Sequence, residues 1–360
     1  MAHCPTIPVP RQTRPFCKIR TVVVLLVPMD IAVDANRDGV IKFAGNSNST
    51  DPNLAGKPQD KTTEAKPFRF WLNDDYDFRE QDTPGAILKD SDCDDITSLR
   101  DLEDYTRLAI HIGGLYEGIA NGTVKIGLKW KNTSGGTPSI KVFKAANQDG
   151  VDENGKNYLN DNAKALEQRA GTLQYTLGAV TGTQPLILPP DFWTGYSEAS
   201  PKRFLLFEGV TEGKGQLCIT IHKADGTLIG EGPGIWLDLL NIKKMYVRAK
   251  GTPETNIDAP WEDKPSVVTG YVSDSNGNNF IQPWDEEKTA LIYVHGIHGP
   301  FVGETAAYLG NINVAETIFK RLWHAGYKGR FAFYKWPALN PAGFFLNGTG
   351  FEFNQSEYRA

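Results

Sequence analysis

Asp34, Asn36 and Asp38 fall two residues apart, Gly39 follows where a sharp turn is needed, the Val40 carbonyl comes next and Ile41 supplies an apolar anchor. Alternating side-chain oxygens closed by a glycine and a carbonyl suit a hard cation such as Ca2+, which takes about six to eight oxygens in a flexible shell. Asp90, Asp92 and Asp94 repeat the spacing with Asp95 in the glycine position, and aspartate tolerates the left-handed region that this position needs. Asp74, Asp75 and Asp77 form a third group behind the alternating Phe68, Phe70 and Leu72. Residues 30 to 104 hold 18 Asp and Glu against 9 Lys and Arg, a net of -9, while the whole chain carries only -5. Such a stretch repels itself unless a cation enters or water solvates it. The alternative is a set of Asp-rich turns solvated at strand ends.

Residues 34 to 41 resemble the calcium loops of EF-hand and dockerin-like proteins. The twelfth position is Gly45, where those loops place a bidentate Glu, and residues 21 to 33 read as strand, not as a flanking helix. The resemblance therefore implies Ca2+ held by Asp34, Asn36, Asp38 and the Val40 carbonyl. The remaining carboxylates come from Asp74, Asp75 and Asp77 or from Asp90, Asp92 and Asp94. Without its own bidentate Glu the loop belongs at the weak end, ~10⁻⁴ to 10⁻³ M, typical of extracellular modules. An extracellular or cell-surface location is the corresponding expectation.

The second group with chemical potential is His295-Gly296-Ile297-His298, directly after the apolar run Thr289 to Val294. That run reads as a buried strand of a parallel sheet. Asn313 and Glu316 resemble a capping box. Val314, Ile318 and Leu322 lie on one helical stripe, with Ala315, Phe319 and Trp323 beside it, and Gly326 stands as a C′ glycine. Arg330 to Trp336 is a second strand, closed by Pro337. A strand, helix and strand in this order build adjacent parallel strands.

Strand, His-Gly, loop, helix and strand ending in Trp-Pro resemble the beginning of an α/β-hydrolase domain over residues 286 to 360. The resemblance implies that the loop after the His-Gly helps form the oxyanion hole through a backbone N–H. The candidate is the backbone around Ile297 and His298, with His295 and Gly296 shaping the loop. The family's nucleophile sits in G-x-S-x-G, and no such motif occurs in the 360 residues, so turnover is not expected of this chain. For the two histidines the alternative is loop hydrogen bonding. A zinc pair would need further ligands.

These residues need elements to position them. Short apolar alternations recur at Leu108 to Ile112, Val124 to Trp130, Ile140 to Lys144, Lys202 to Val210, Gln216 to His222, Thr227 to Gly230 and Ile235 to Arg248. Asn121-Gly122 reads as a hairpin turn, and only Asn162 to Ala170 reads as helical before residue 250. Close-spaced strands with Gly and Asp turns predict a mainly β chain: a β-sandwich-like body followed by an incomplete α/β unit of hydrolase type. The organisation expected is an unassigned stretch 1–20, a β-rich region 21–250 containing the acidic segment 30–104, a Pro- and Asn-punctuated linker 251–285, and the hydrolase-like part 286–360. Val22 to Val27 is too short for a signal-peptide core and reads as strand. Ser356 to Ala360 reads as the first turn of a helix, which suggests a fragment of a longer protein, similar in order to large uncharacterised bacterial hydrolase-like proteins.

Composition sets the outer bounds. Hydrophobic residues make up 40% and charged residues 22%, as in globular domains. No run approaches the ~18 apolar residues of a membrane helix, and the acidic balance disfavours nucleic acid as partner. Cys4, Cys17, Cys93 and Cys218 form no C-x-x-C pair. Two functions follow. One is part of a serine-type hydrolase for an ester or related acyl bond, with a calcium-stabilised accessory β-domain. The other is a non-catalytic, calcium-dependent β-sandwich module for a surface ligand.

Overall fold

The computed structural model describes residues 29–37, 41, 43, 60, 62–73, 102–145, 176–197, 202–250, 267–269, 289–294 and 304–335. Alternation of apolar residues builds a first, wholly antiparallel sheet. Its spatial order is β1 (Met29–Ala32), β3 (Thr106–Ile112), β8 (Lys202–Thr211), β5 (Ser139–Lys144) and β6 (Thr176–Thr181). Leu108 and Ile110 of β3, Leu205 and Phe207 of β8, and Ile140 and Val142 of β5 enter the main core. Their neighbours Ala109, Phe204, Leu206 and Phe143 join Ile41 and Phe43 in a second cluster. The side-chain period of two sends the two sets to opposite faces.

The second sheet is ordered β2 (Phe68–Trp71), β10 (Leu228–Leu240), β9 (Gly213–Lys223), β4 (Val124–Ser134) and β7 (Leu186–Ile187). β2 is parallel to β10 and the other pairs are antiparallel. Ile126, Leu128, Trp130, Leu217, Ile219, Leu237 and Leu239 bring this sheet into the same core as the first. The buried Trp130 indole reaches across, donating to the Val180 carbonyl of β6 at 3.0 Å. The body is thus a two-sheet sandwich.

A third sheet is ordered β12 (Val267–Thr269), β11 (Val247–Lys250), β14 (Arg330–Lys335) and β13 (Ala290–Val294). β11, β14 and β13 are mutually parallel and β12 is antiparallel to β11. A 21-residue helix over Glu304–His324 connects β13 to β14. With the short α1 (Tyr116–Ala120) before it, this helix is α2. Ala315 and Phe319 of α2, with Phe331 and Phe333 of β14, belong to the same core cluster as the sandwich. Two expectations hold: the described residues are mainly β, and β13 and β14 are parallel strands joined by one helix.

Several local expectations change. Asn121 is the C-cap of α1, its N–H donating to the Glu117 carbonyl at 2.9 Å, and Gly122 takes φ +73 just after it. The Asn-Gly pair ends a helix because β3 and β4 lie in different sheets and cannot form a hairpin. Leu228 to Gly230 and Ile235 onward belong to a single bulged strand, β10, which stops at Leu240. A 3-10 turn, Ile242–Lys244, separates it from β11. α2 begins at Glu304, so Asn313 lies inside it and is not its start. β13 is not buried: Leu291, Ile292 and Val294 are 37%, 62% and 51% exposed, and among the described residues β13 is the edge strand. Val267–Thr269, inside the expected linker, forms β12. Residues 162–170 lie outside the described residues.

Candidate functional site

β1 runs into the turn that carries the first candidate ligands. The Ala35 N–H donates to the Val33 carbonyl at 2.8 Å and the Arg37 N–H to the Asp34 carbonyl at 3.2 Å. Arg37 sits in the left-handed region at φ +53. Asp34 points at β3, where Arg107 Nη2 donates to its Oδ2 at 2.9 Å with both side chains nearly buried. Asn36 is buried, and its N–H donates to Asp60 Oδ1 at 3.1 Å, Asp60 being buried as well. Arg37 turns the other way. Its Nη1 donates to the Tyr327 carbonyl at 2.9 Å and its guanidinium lies 5.2 Å from the Trp323 ring.

The fold brings Asp34, Asn36 and Asp60 to one turn. Asp38, Val40, Asp74, Asp75, Asp77, Asp90, Asp92 and Asp94 lie outside the described residues. Among the described residues no group of three or more His, Cys, Asp and Glu is arranged to hold a metal. The donors on this turn are hard oxygens, the kind calcium takes, but Arg107 already occupies one Asp34 oxygen. A cation here competes with a guanidinium and needs further oxygens to complete its shell. Asp60 carried no sequence signal. It is an isolated acid among polar residues, and the contact to Asn36 spans 24 positions.

The second candidate is defined by strand direction. Val294 pairs with Tyr334, and Lys335 pairs with Lys250, so β13, β14 and β11 end at one edge of the third sheet. The crevice outside the carboxyl ends of parallel strands is where open α/β sheets bind ligands. His295, Gly296, Ile297 and His298 follow Val294 in the sequence and lie outside the described residues.

A third cluster lies at the junction of α2 and the sandwich; the sequence presents its Glu103 and Asp104 as the end of the acidic run and its Glu316 as a capping-box partner. The 3-10 turn Leu102–Asp104 lies against α2. Lys320 Nζ contacts Asp104 Oδ1 at 2.7 Å with both side chains fully buried, and the Trp71 indole donates to the same oxygen at 2.7 Å. One turn earlier in α2, Glu316 accepts from the Tyr246 hydroxyl at 2.8 Å. Arg321 donates to the Glu103 carboxylate at 2.7 Å, and His324 Nε2 donates to the Glu103 carbonyl at 2.7 Å. Burial alone would raise the Glu103 carboxyl, but the Arg321 guanidinium outweighs it and holds the carboxyl below its ordinary range. Burial pushes the His324 imidazole down to about 4. The signal available was Glu316 and Lys320 at i, i+4, which share one helix face.

No family model matches the chain, and no curated protein matches it. Among solved structures it is similar to the C-terminal domain of the Streptococcus pyogenes antigen I/II-family protein AspA, at 12% identity and a TM-score of 0.19. The likeness covers 40% of this chain and 47% of that one, so the chain spans about half of that structure. No helix among the described residues is long and apolar enough to cross a membrane.

Proposed function

We propose that this chain supplies an accessory β-sandwich and the opening strand–helix–strand unit of a serine-type α/β hydrolase acting on an ester or related acyl bond. The observation that supports the reading is the shared direction of β11, β14 and β13, whose last residues Lys250, Lys335 and Val294 lie at one sheet edge. His295-Gly296-Ile297-His298 follows one of those ends. There, backbone N–H groups around Ile297 and His298 would hold the oxyanion that forms when an activated serine attacks an acyl carbon. No G-x-S-x-G occurs in the 360 residues, so the chain alone is expected to be inactive. The test is hydrolysis of a p-nitrophenyl ester by the 360-residue chain and by the product of the complete reading frame. Saturable hydrolysis by the complete product, lost on covalent serine labelling and lowered by Gly296→Val, is expected. The same label-sensitive turnover by the 360-residue chain, or none by the complete product, would sink the proposal.

A second reading is a non-catalytic, calcium-dependent β-sandwich module for a surface ligand. It is favoured by the oxygen-bearing turn of Asp34, Asn36 and Asp60 at the edge strand β1. Ca2+ would be held there by Asp34 and Asn36 together with Asp38 and the Val40 carbonyl, its role being to stabilise the turn. Calcium-dependent retention on a glycan or protein surface, with no ester hydrolysis by the complete product, would favour this module over the enzyme.

A further inference from the structure

A buried amine and a buried carboxyl meet where α2 enters the sandwich. Lys320 Nζ and Asp104 Oδ1 are 2.7 Å apart and neither side chain is exposed. The indole N–H of Trp71 donates to that same oxygen. Glu316 is 3% exposed and lies four residues before Lys320, on the same helix face. The rings of Trp71, Phe319 and Tyr246 enclose the junction, with centroids 6.1 Å apart for Trp71 and Phe319 and 5.7 Å for Tyr246 and Phe319.

We propose that Lys320 and Asp104 condense into an intramolecular amide, an isopeptide bond that ties α2 covalently to the sandwich. The proposal is independent of the hydrolase reading. An ion pair taken fully out of water must offset the desolvation of both charges. One proton moving from the ammonium to the carboxylate leaves a neutral amine and a neutral carboxylic acid, which the interior accommodates at lower cost. A desolvated lysine amine is a nucleophile. A nitrogen in contact with Oδ1 stands close to the attack range of about 3–3.5 Å from the carboxyl carbon.

The step balances within the cluster. The Nζ lone pair forms a bond to Asp104 Cγ, and the C=O electron pair moves onto Oδ1. Trp71 N–H already points there and stabilises the developing charge. Oδ2 carries the proton that the ammonium gave up, and a second proton leaves Nζ and reaches Oδ2 by way of Glu316, the carboxylate on the same helix face, so that Oδ2 holds both. The tetrahedral centre then collapses, the Cγ–Oδ2 bond breaks and Oδ2 leaves as water. One amine and one carboxylic acid give one amide and one water, with no oxidant or other co-reactant. Burial of all the participants keeps water from the product.

Intact-mass measurement of the folded 360-residue chain, followed by tandem mass spectrometry of its proteolytic peptides, tests this. The wild type is expected to be lighter than its sequence by one water, about 18 Da, with a branched peptide joining Lys320 to Asp104. Lys320→Arg and Glu316→Gln are expected at full sequence mass. A folded wild-type chain at full sequence mass overturns the proposal. So does a water loss that maps to a single unbranched peptide, such as the Asp225-Gly226 turn. If Lys320→Arg does not fold, the wild-type branched peptide decides alone.

Discussion

Trp71 of β2 and Trp323 of α2 meet edge to face, their ring centroids 5.1 Å apart and their planes at 83°. Phe68 and Phe70 of the same strand also contact Trp323, at 5.6 and 5.5 Å. β2 is the last strand of the second sheet. The helix that links two strands of the third sheet therefore also covers the open edge of the sandwich. A sandwich edge left uncovered would expose these aromatic rings and an unpaired strand. Sharing one helix lets the two units bury a common surface.

That shared surface should make the units unfold together. Trp323→Ala removes a ring packed on three aromatic residues of β2 and is expected to cost about 3 kcal/mol. In urea, tryptophan fluorescence and far-UV circular dichroism of the wild type should trace one coincident transition. Two resolved transitions, or a variant as stable as the wild type, would separate the helix from the sandwich core.

Gly209 of β8 allows β2 to cross from the second sheet to the first. Leu72 bridges to Gly209, and the Asn73 N–H donates to the Gly209 carbonyl at 2.9 Å. A Cβ on Gly209 would stand 2.5 Å from the Trp71 carbonyl oxygen and 3.2 Å from Leu72 Cα. Both are backbone atoms, so the strand itself would have to shift. Gly209→Ala is expected to destabilise by about 1–3 kcal/mol. At Gly230 nothing lies within 4 Å of the added carbon, and Gly230→Ala should stay within about 0.5 kcal/mol of wild type. Equal melting temperatures for the two variants would contradict the close approach.

Acid should loosen the α2 junction through His324. Its imidazole packs against Phe70, Trp71 and Trp323, and burial lowers its pKa from 6.5 to about 4. The Glu103 carbonyl and carboxylate oppose the shift, while Arg107, and Lys320 as long as it remains an ammonium, reinforce it. The folded value lies below the unfolded one, so between these values the unfolded chain binds the proton more readily. Stability from this group is complete above about pH 6.5. It is lost as the pH falls toward 4. The stability of the wild type should therefore drop relative to His324→Gln across that interval. A difference between the two that is flat from pH 7 to 4 would show that the ring does not titrate this way.

Calcium should raise the melting temperature if the acidic turn collects it. At 100 times its dissociation constant a ligand bound only by the folded state adds about 2.7 kcal/mol. Since Arg107 holds one Asp34 oxygen at 2.9 Å, millimolar calcium is the range to use. The rise should vanish in Asp34→Ala combined with Asp38→Ala. Identical melting in millimolar calcium and in EDTA would leave the acidic stretch as a solvated face.

Alternation by itself located β3, β4, β5, β8 and β9, because a side-chain period of two is a local property of a strand. The 3.6-residue stripe of Val314, Ile318 and Leu322 located α2 for the same reason, and the strand–helix–strand order implied that β13 and β14 run parallel. Periodicity carries no information about partners, and partners decided the rest. Asn121-Gly122 ends α1 because β4 pairs with β9 and not with β3. β13 is exposed and is an edge strand among the described residues, although its sequence is as apolar as a central one. Glu103 and Asp104 closed an acidic run that read as a cation collector. The fold gives them Arg321 and Lys320 from a helix far along the chain. Charge spacing along a chain shows where like charges accumulate, and only tertiary packing determines which opposite charges are brought to them.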